Sequence, residues 1–251
     1  MKLEPTMKLT THATAIAMLS MILLGCQGGS DTPDPDPGPT TGPAAAPAPS
    51  KAPDITSLEP GETAEIFNGK DLTGWNTLTK EYFDAAGKVF VKDGSMFLGV
   101  GADMTGVQWA GEMLKDDYEI TIEARRTKGS DFFCGLTFPI GDSYVSLIMG
   151  GWGGGAVGLS NVDDMSAVEN DTSQYIEFKQ NKWYLIEVSV TDGRIAVFLD
   201  DKKIIDQETK DHRFAIWPQQ EPARPLGVAT YATEGEFRRI TVKRLLAIGD
   251  E

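Results

Sequence analysis

The 251-residue chain is poor in cysteine and histidine, with two of each: Cys26, Cys134, His12 and His212. So few thiols cannot build a disulfide framework, and so few soft ligands make a His/Cys metal cluster a poor reading. Positive charge is also short. Lys and Arg number 23 against 37 Asp and Glu, a net charge of −14, which excludes the basic stripe a nucleic-acid binder uses against phosphate. Long apolar runs are missing too. The best candidate, Ala13 to Leu24, has twelve residues, against the roughly 20 a membrane-spanning helix needs. No apolar stripe of helical period extends beyond about two turns.

That short run nevertheless has a meaning. Lys2 and Lys8 precede it, and it ends Leu23-Leu24-Gly25-Cys26, the layout of an exported leader closed by a lipoprotein processing box. Residues 1–25 are expected to be a signal peptide. Cys26 is expected to carry the lipid, anchoring the protein in a bacterial envelope, by preference at the outer membrane. Residues 27–53 hold eight of the chain's fourteen prolines, so residues 26–54 read as a lipidated, Pro-rich tether that cannot bury enough apolar surface to fold. One domain, residues 55–248, follows. It is long enough to bury its own core, and Cys134, within the apolar string FFCGLTF, reads as a small core residue.

Within that domain the period is two. Tyr118, Ile120, Ile122 and Ala124 alternate with Glu119, Thr121, Glu123 and Arg125. Tyr184, Ile186, Val188 and Val190 repeat the pattern before an Asp192-Gly193 turn leads into Ile195, Val197 and Leu199. Asp93-Gly94 is a second such turn. Short alternating strands with Asp/Gly turns and no βαβ units predict an all-β antiparallel sandwich. Gly153, Gly155 and Gly158 match the spacing of a dinucleotide fingerprint, but SNVDD follows them rather than a helix, so a glycine-rich loop between strands is the expectation.

The string FNGKDLTGW (Phe67 to Trp75) reads from its residues as a strand end, a tight polar turn and an anchoring indole. As a string it resembles the opening signature of the 3-keto-disaccharide hydrolase-like family. VKDGSMFLGV, DDYEITIEARR, NKWYLIEVSVTDGRIAVFLDDKKI and EFRRITVKRL resemble its later strands, so the likeness spans about the last four-fifths of the chain. The resemblance implies a concanavalin A-like, laminin-G-like jelly roll. It further implies glycan-directed activity, as a hydrolase or lyase on 3-keto-glycosides or as a non-catalytic carbohydrate- or protein-binding module. The ketone at C3 acidifies the C2 hydrogen, so a single base suffices to start elimination of the aglycone from C1. A divalent cation on the ketone oxygen would assist.

A sugar site needs aromatic faces and polar groups. Trp152, Trp109 and Trp217 are the candidate platforms, with Trp75 and Trp183 expected in the core. Trp152 leads, because residues 150–155 carry no other side chain beyond hydrogen. Glu123, Asp131 and Asp142 are the candidate catalytic carboxylates. His212 reads as a surface histidine with a possible general-base role. Leu147, Ile148 and Met149 stand where the resemblance would place polar groups on a groove-facing strand.

Overall fold

A computed structural model describes residues 53–79 and 81–246. The expected leader, Cys26 and nearly all of the tether lie outside the described residues. In chain order the strands are β1 Thr63–Glu65, β2 Trp75–Leu78, β3 Val89–Lys92, β4 Ser95–Leu98, β5 Met104–Trp109, β6 Tyr118–Lys128, β7 Cys134–Ile140 and β8 Ser143–Gly151. There follow β9 Ala156–Ser160, β10 Gln174–Tyr175, β11 Tyr184–Thr191, β12 Arg194–Leu199, β13 Lys202–Glu208, β14 Gly227–Tyr231 and β15 Glu234–Arg244. Two short 3₁₀ turns, Ile55–Ser57 and Pro218–Ala223, are the helical elements among the described residues.

The strands form two antiparallel sheets. The first runs β13-β12-β11-β6-β15-β4-β3, with β1 pairing β15; the second runs β10-β9-β8-β7-β14-β5-β2. The expected all-β sandwich of the concanavalin A type is the fold. Alternation dictates what lies between the sheets: Ile120 and Ile122 from β6 and Ile186 and Val188 from β11 meet Leu136 and Phe138 from β7 and Leu147 and Met149 from β8, all buried. Each such side chain taken out of water contributes about 1.5–3 kcal/mol before ordering costs.

The FNGKDLTGW segment folds as its residues suggest. Asn68 Oδ1 accepts from the Lys70 and Asp71 backbone N–H groups at 2.8 and 3.0 Å, and Asp71 Oδ1 accepts from Thr73 N–H at 2.9 Å. The Thr73 side chain, then the Asn68 side chain and the Thr73 backbone N–H, hold the Asp71 carboxyl down at about 2. Buried Trp75 donates its indole N–H to Ile66 O at 2.8 Å, closing the turn. The signature is therefore scaffold, a self-bonded turn pinned by an indole.

The second sheet's outer face carries a row of small residues. Register places Gly158, Ile148, Gly135, Ala229, Gly106 and Leu78 side by side across β9, β8, β7, β14, β5 and β2. Such a row lets loops settle close to the sheet. Phe83 lies on Gly106, Phe132 on Gly135 and the Ala167 backbone on Gly158. A second apolar cluster, including Phe132, Ile148, Ala167, Ala223 and Ala229, thus forms outside the sandwich.

Candidate functional site

At one end of that outer face, four segments converge. The β8–β9 turn brings Trp152, the β6–β7 connection brings Asp131 and Phe132, the 3₁₀ turn brings Trp217 and Gln220, and β14 ends at Tyr231. With Ile148, Ser160, Asn161 and Ser166 they line a cavity of about 380 Å³, within the roughly 300–1,000 Å³ of small-ligand sites. Two larger hollows, of about 520 and 690 Å³, are shallower; one lies beside His212 and the other along β2 and β3.

The turn that presents Trp152 is tightly built. Gly154 N–H donates to Gly151 O at 3.1 Å, and φ is +47° at Trp152 and +87° at Gly153. Positive φ at both central positions is the type I′ pattern that Asn and Gly adopt and a bulky side chain resists. Asp131 holds the turn in place: Oδ1 accepts from Phe132 N–H at 2.7 Å and Oδ2 from Gly153 N–H at 3.4 Å. Behind it sits buried Arg126, donating to Asp131 O and Gly154 O at 3.2 Å and to Phe178 O at 3.0 Å. Burial pushes the Arg126 pKa down, yet a guanidinium stays protonated, so one buried cation ties three loops together. Trp152 consequently stands 54% exposed over the cavity. Half-buried Trp217, on the same cavity, leans on Tyr231 at 6.4 Å between ring centroids.

Of the residues singled out from the sequence, the cavity gathers Trp152, Trp217 and Asp131. Trp109 does not belong with them. It points inward from β5 with Val107, is fully buried, and packs edge-on against Trp75 at 5.5 Å. Glu123 is on the other sheet, where it accepts from Arg238 Nε at 2.5 Å and from Arg239. It anchors an ion-pair network on that face and does not reach the cavity. Asp142 lies beyond the far end of β7 from Asp131, exposed and paired with Lys115 at 2.5 Å. A strand of seven residues, about 23 Å, separates the two carboxylates. Trp183, expected in the core, projects outward and is held between Arg125 and Arg238, 4.5 and 4.1 Å from its ring centroid. His212 is exposed and bonds Asp163 at 2.7 Å.

Leu147 and Met149 face the core, so of Leu147, Ile148 and Met149 it is Ile148 that meets the cavity. The glycine loop is a hairpin, as expected: Gly155 lies under the Tyr175 ring and Gly158 is within β9. Gln220 was not foreseen. Its one local signal is Trp217-Pro218, since proline at the first position of a helical turn fixes the residues that follow.

Among the described residues no group of three or more His, Cys, Asp and Glu side chains is placed to hold a metal ion. Asp131 is the single carboxylate lining the cavity. These side chains do not fit a divalent cation.

None of the curated proteins compared matches this sequence. Solved structures do resemble the fold. One, from work on endo-acting O-glycanases with which members of the human gut microbiota initiate mucin breakdown, superposes with a TM-score of 0.51 at 13% identity, over 74% of this chain and 99% of its own. A Crh5 transglycosylase bound to NAG gives 0.50 at 10% identity, over 75% and 88%. A candidate glycosyl hydrolase from Parabacteroides distasonis ATCC 8503 gives 0.47 at 16%, over 74% and 94%. At such identities the likeness is one of fold alone. The sequence pattern of the 3-keto-alpha-glucoside-1,2-lyase-like domain matches residues 62–243, from the start of the first strand to the end of the last, and the chain belongs to that family.

Proposed function

We propose that this protein is a glycan-directed lipoprotein of the bacterial envelope that seats a sugar ring in the Trp152–Trp217 cavity. Membership of the family supports a glycan-related role. The observation that carries the reading is the lining itself: a half-exposed indole forced over a small cavity by a strained turn, with tyrosine, serine and asparagine side chains opposite. Bulky residues in the left-handed region persist where the surroundings impose them, and they concentrate at functional sites. Titration of the full chain with neutral oligosaccharides, followed by tryptophan fluorescence, tests this. A binding isotherm is expected for wild type, weakened in Trp152→Ala. The N-terminal run and Cys26 support the anchoring half of the reading. Palmitate should label wild type and leave Cys26→Ser unlabelled; equal labelling, or none, removes the lipid anchor.

A chemical step on 3-keto-glycosides is the second reading, favoured by Asp131. It is the carboxylate that lines the cavity, and its Oδ2 makes one long contact, 3.4 Å to Gly153 N–H. In that step Oδ2 takes the C2 proton, the C1–C2 double bond forms as the C1–O bond breaks, and the leaving oxygen is protonated from water. The hydroxide left by that water adds at C1, and Asp131 returns its proton to C2, so that one water is consumed and the carboxylate is restored. Incubation with a 3-keto-glucoside should release aglycone, and Asp131→Asn should slow release by roughly 10²–10⁴-fold, the usual worth of a positioned base. Binding without release would leave a non-catalytic carbohydrate module.

A further inference from the structure

Gln220 occupies an unusual place for an amide. It is fully buried, it lines the cavity, and neither Oε1 nor Nε2 has a hydrogen-bond partner in the protein. Its position is well fixed. Its backbone N–H donates to Trp217 O at 2.7 Å, and Nε2 lies where a Cβ on Gly135 would come within 2.8 Å. The amide nitrogen thus lies against Gly135 in the row at the cavity floor. A buried amide with both ends unpaired is costly, and leucine would fill the same space without that cost.

The charge of the cavity narrows what the amide meets. Among the lining residues Asp131 is the one carboxylate, and no Lys, Arg or His is present. A uronic acid or sulfated sugar would bring a negative charge toward Asp131 with no cation to receive it. A neutral ring meets no such penalty. The donor and acceptor of a primary amide sit side by side, matching two adjacent hydroxyls, one donating to Oε1 and the other accepting from Nε2. Resting on the glycan reading above, we propose that Gln220 is the specificity-determining residue of the cavity, reading a vicinal diol on a neutral pyranose whose face stacks on the surrounding aromatic rings.

The test is isothermal titration of the full chain with cellobiose, maltose, sucrose and lactose, with glucuronic acid as the charged comparator, on wild type and Gln220→Leu. Gln220→Leu is expected to melt at the same temperature as wild type or higher, because it removes two unpaired buried groups. It should bind the preferred sugar about tenfold or more weakly, as a site built to bond a hydroxyl does when the bond is lost. Deoxygenating one of the two hydroxyls should weaken wild type and leave Gln220→Leu unchanged. Gly135→Ala provides a second route, since its Cβ would come within 2.8 Å of the amide nitrogen and 3.0 Å of the Phe132 ring and so displace the amide without removing it, and it should weaken the same sugar.

Equal binding by wild type and Gln220→Leu, or a lower melting point with unchanged affinity, overturns the assignment and leaves the glycan reading standing. Preference for glucuronic acid overturns the neutral class. If wild type binds none of these sugars, the glycan reading of the cavity falls, and the Gln220 assignment falls with it.

Discussion

Trp152 combines two features that a purely structural tryptophan would not have: wide exposure and a backbone in the left-handed region. Glycine adopts that conformation without strain, so Trp152→Gly relieves the backbone while deleting the indole. The expected outcome is a melting temperature unchanged or raised by about 2–4 °C, for relief of about 1 kcal/mol in a domain of this size. Loss of one stacked ring, worth about 1 kcal/mol, should weaken sugar binding roughly fivefold. A lower melting point with unchanged binding would make the indole a packing residue. The exposure of this residue was legible in the sequence, because five glycines surround it. Trp109 was not: in MTGVQW both alternating sets, Met104/Gly106/Gln108 and Thr105/Val107/Trp109, mix apolar with polar or small residues, so alternation does not say which set faces inward. Trp183 could have been placed, since Tyr184 and Ile186 face the core and their neighbour must then face outward.

The elements around the cavity depend on one another through Arg126. The segment ending at Phe178 is joined to the β8–β9 turn by Ile176 N–H to Gly155 O at 2.8 Å, and the β6–β7 connection to β8 by Phe133 N–H to Met149 O at 3.2 Å. Beyond these, the three carbonyls Asp131 O, Gly154 O and Phe178 O converge on this guanidinium. Arg126→Met leaves those carbonyls without their charged donor, and is expected to cost about 2–4 kcal/mol. Lysine should not rescue it, because an ammonium presents a compact charge where the fork of the guanidinium spans three directions. The signature of this role is a loss of sugar affinity in Arg126→Lys larger than its loss of stability implies. An Arg126→Lys protein with wild-type melting and binding would refute the tie. Alternation in EARRTK puts Arg126 on the inward parity of Ala124 and Arg125 on the outward one, but it does not say what either meets, since their partners lie up to 52 residues away for one and 111 for the other. Glu123 shows the same limit. The alternation assigned its face, while its partners Arg238 and Arg239 are supplied by β15, 115 and 116 residues later.

For the molecule as a whole, the fold was readable because long strands such as β6 and β11 announce their period and Asp/Gly turns their reversals, whereas the cavity is assembled by four segments that are far apart in the chain. Among the ionisable groups buried in the core between the sheets are Cys134 and Tyr118, which must stay neutral. Burial pushes the Cys134 thiol up to about 12 from its ordinary 9.0, and pushes the Tyr118 phenol well above 10.0. Both bind their protons more tightly in the folded chain than in the unfolded one. Their contribution to stability is therefore complete below pH 9 and is lost as pH rises through the alkaline range, because the unfolded chain releases protons first. A melting temperature that falls progressively above about pH 9 is expected, with Cys134→Val removing part of that slope and leaving the neutral-pH fold intact. In a full chain carrying Cys26→Ser, Cys134 also becomes the sole thiol. Buried on β7 between the sheets, it should react with a disulfide reagent only as fast as the sandwich opens globally. The measured reaction rate should follow the unfolding rate across a denaturant series; rapid labelling in native buffer with unchanged circular dichroism would show instead that β7 separates from the core by itself.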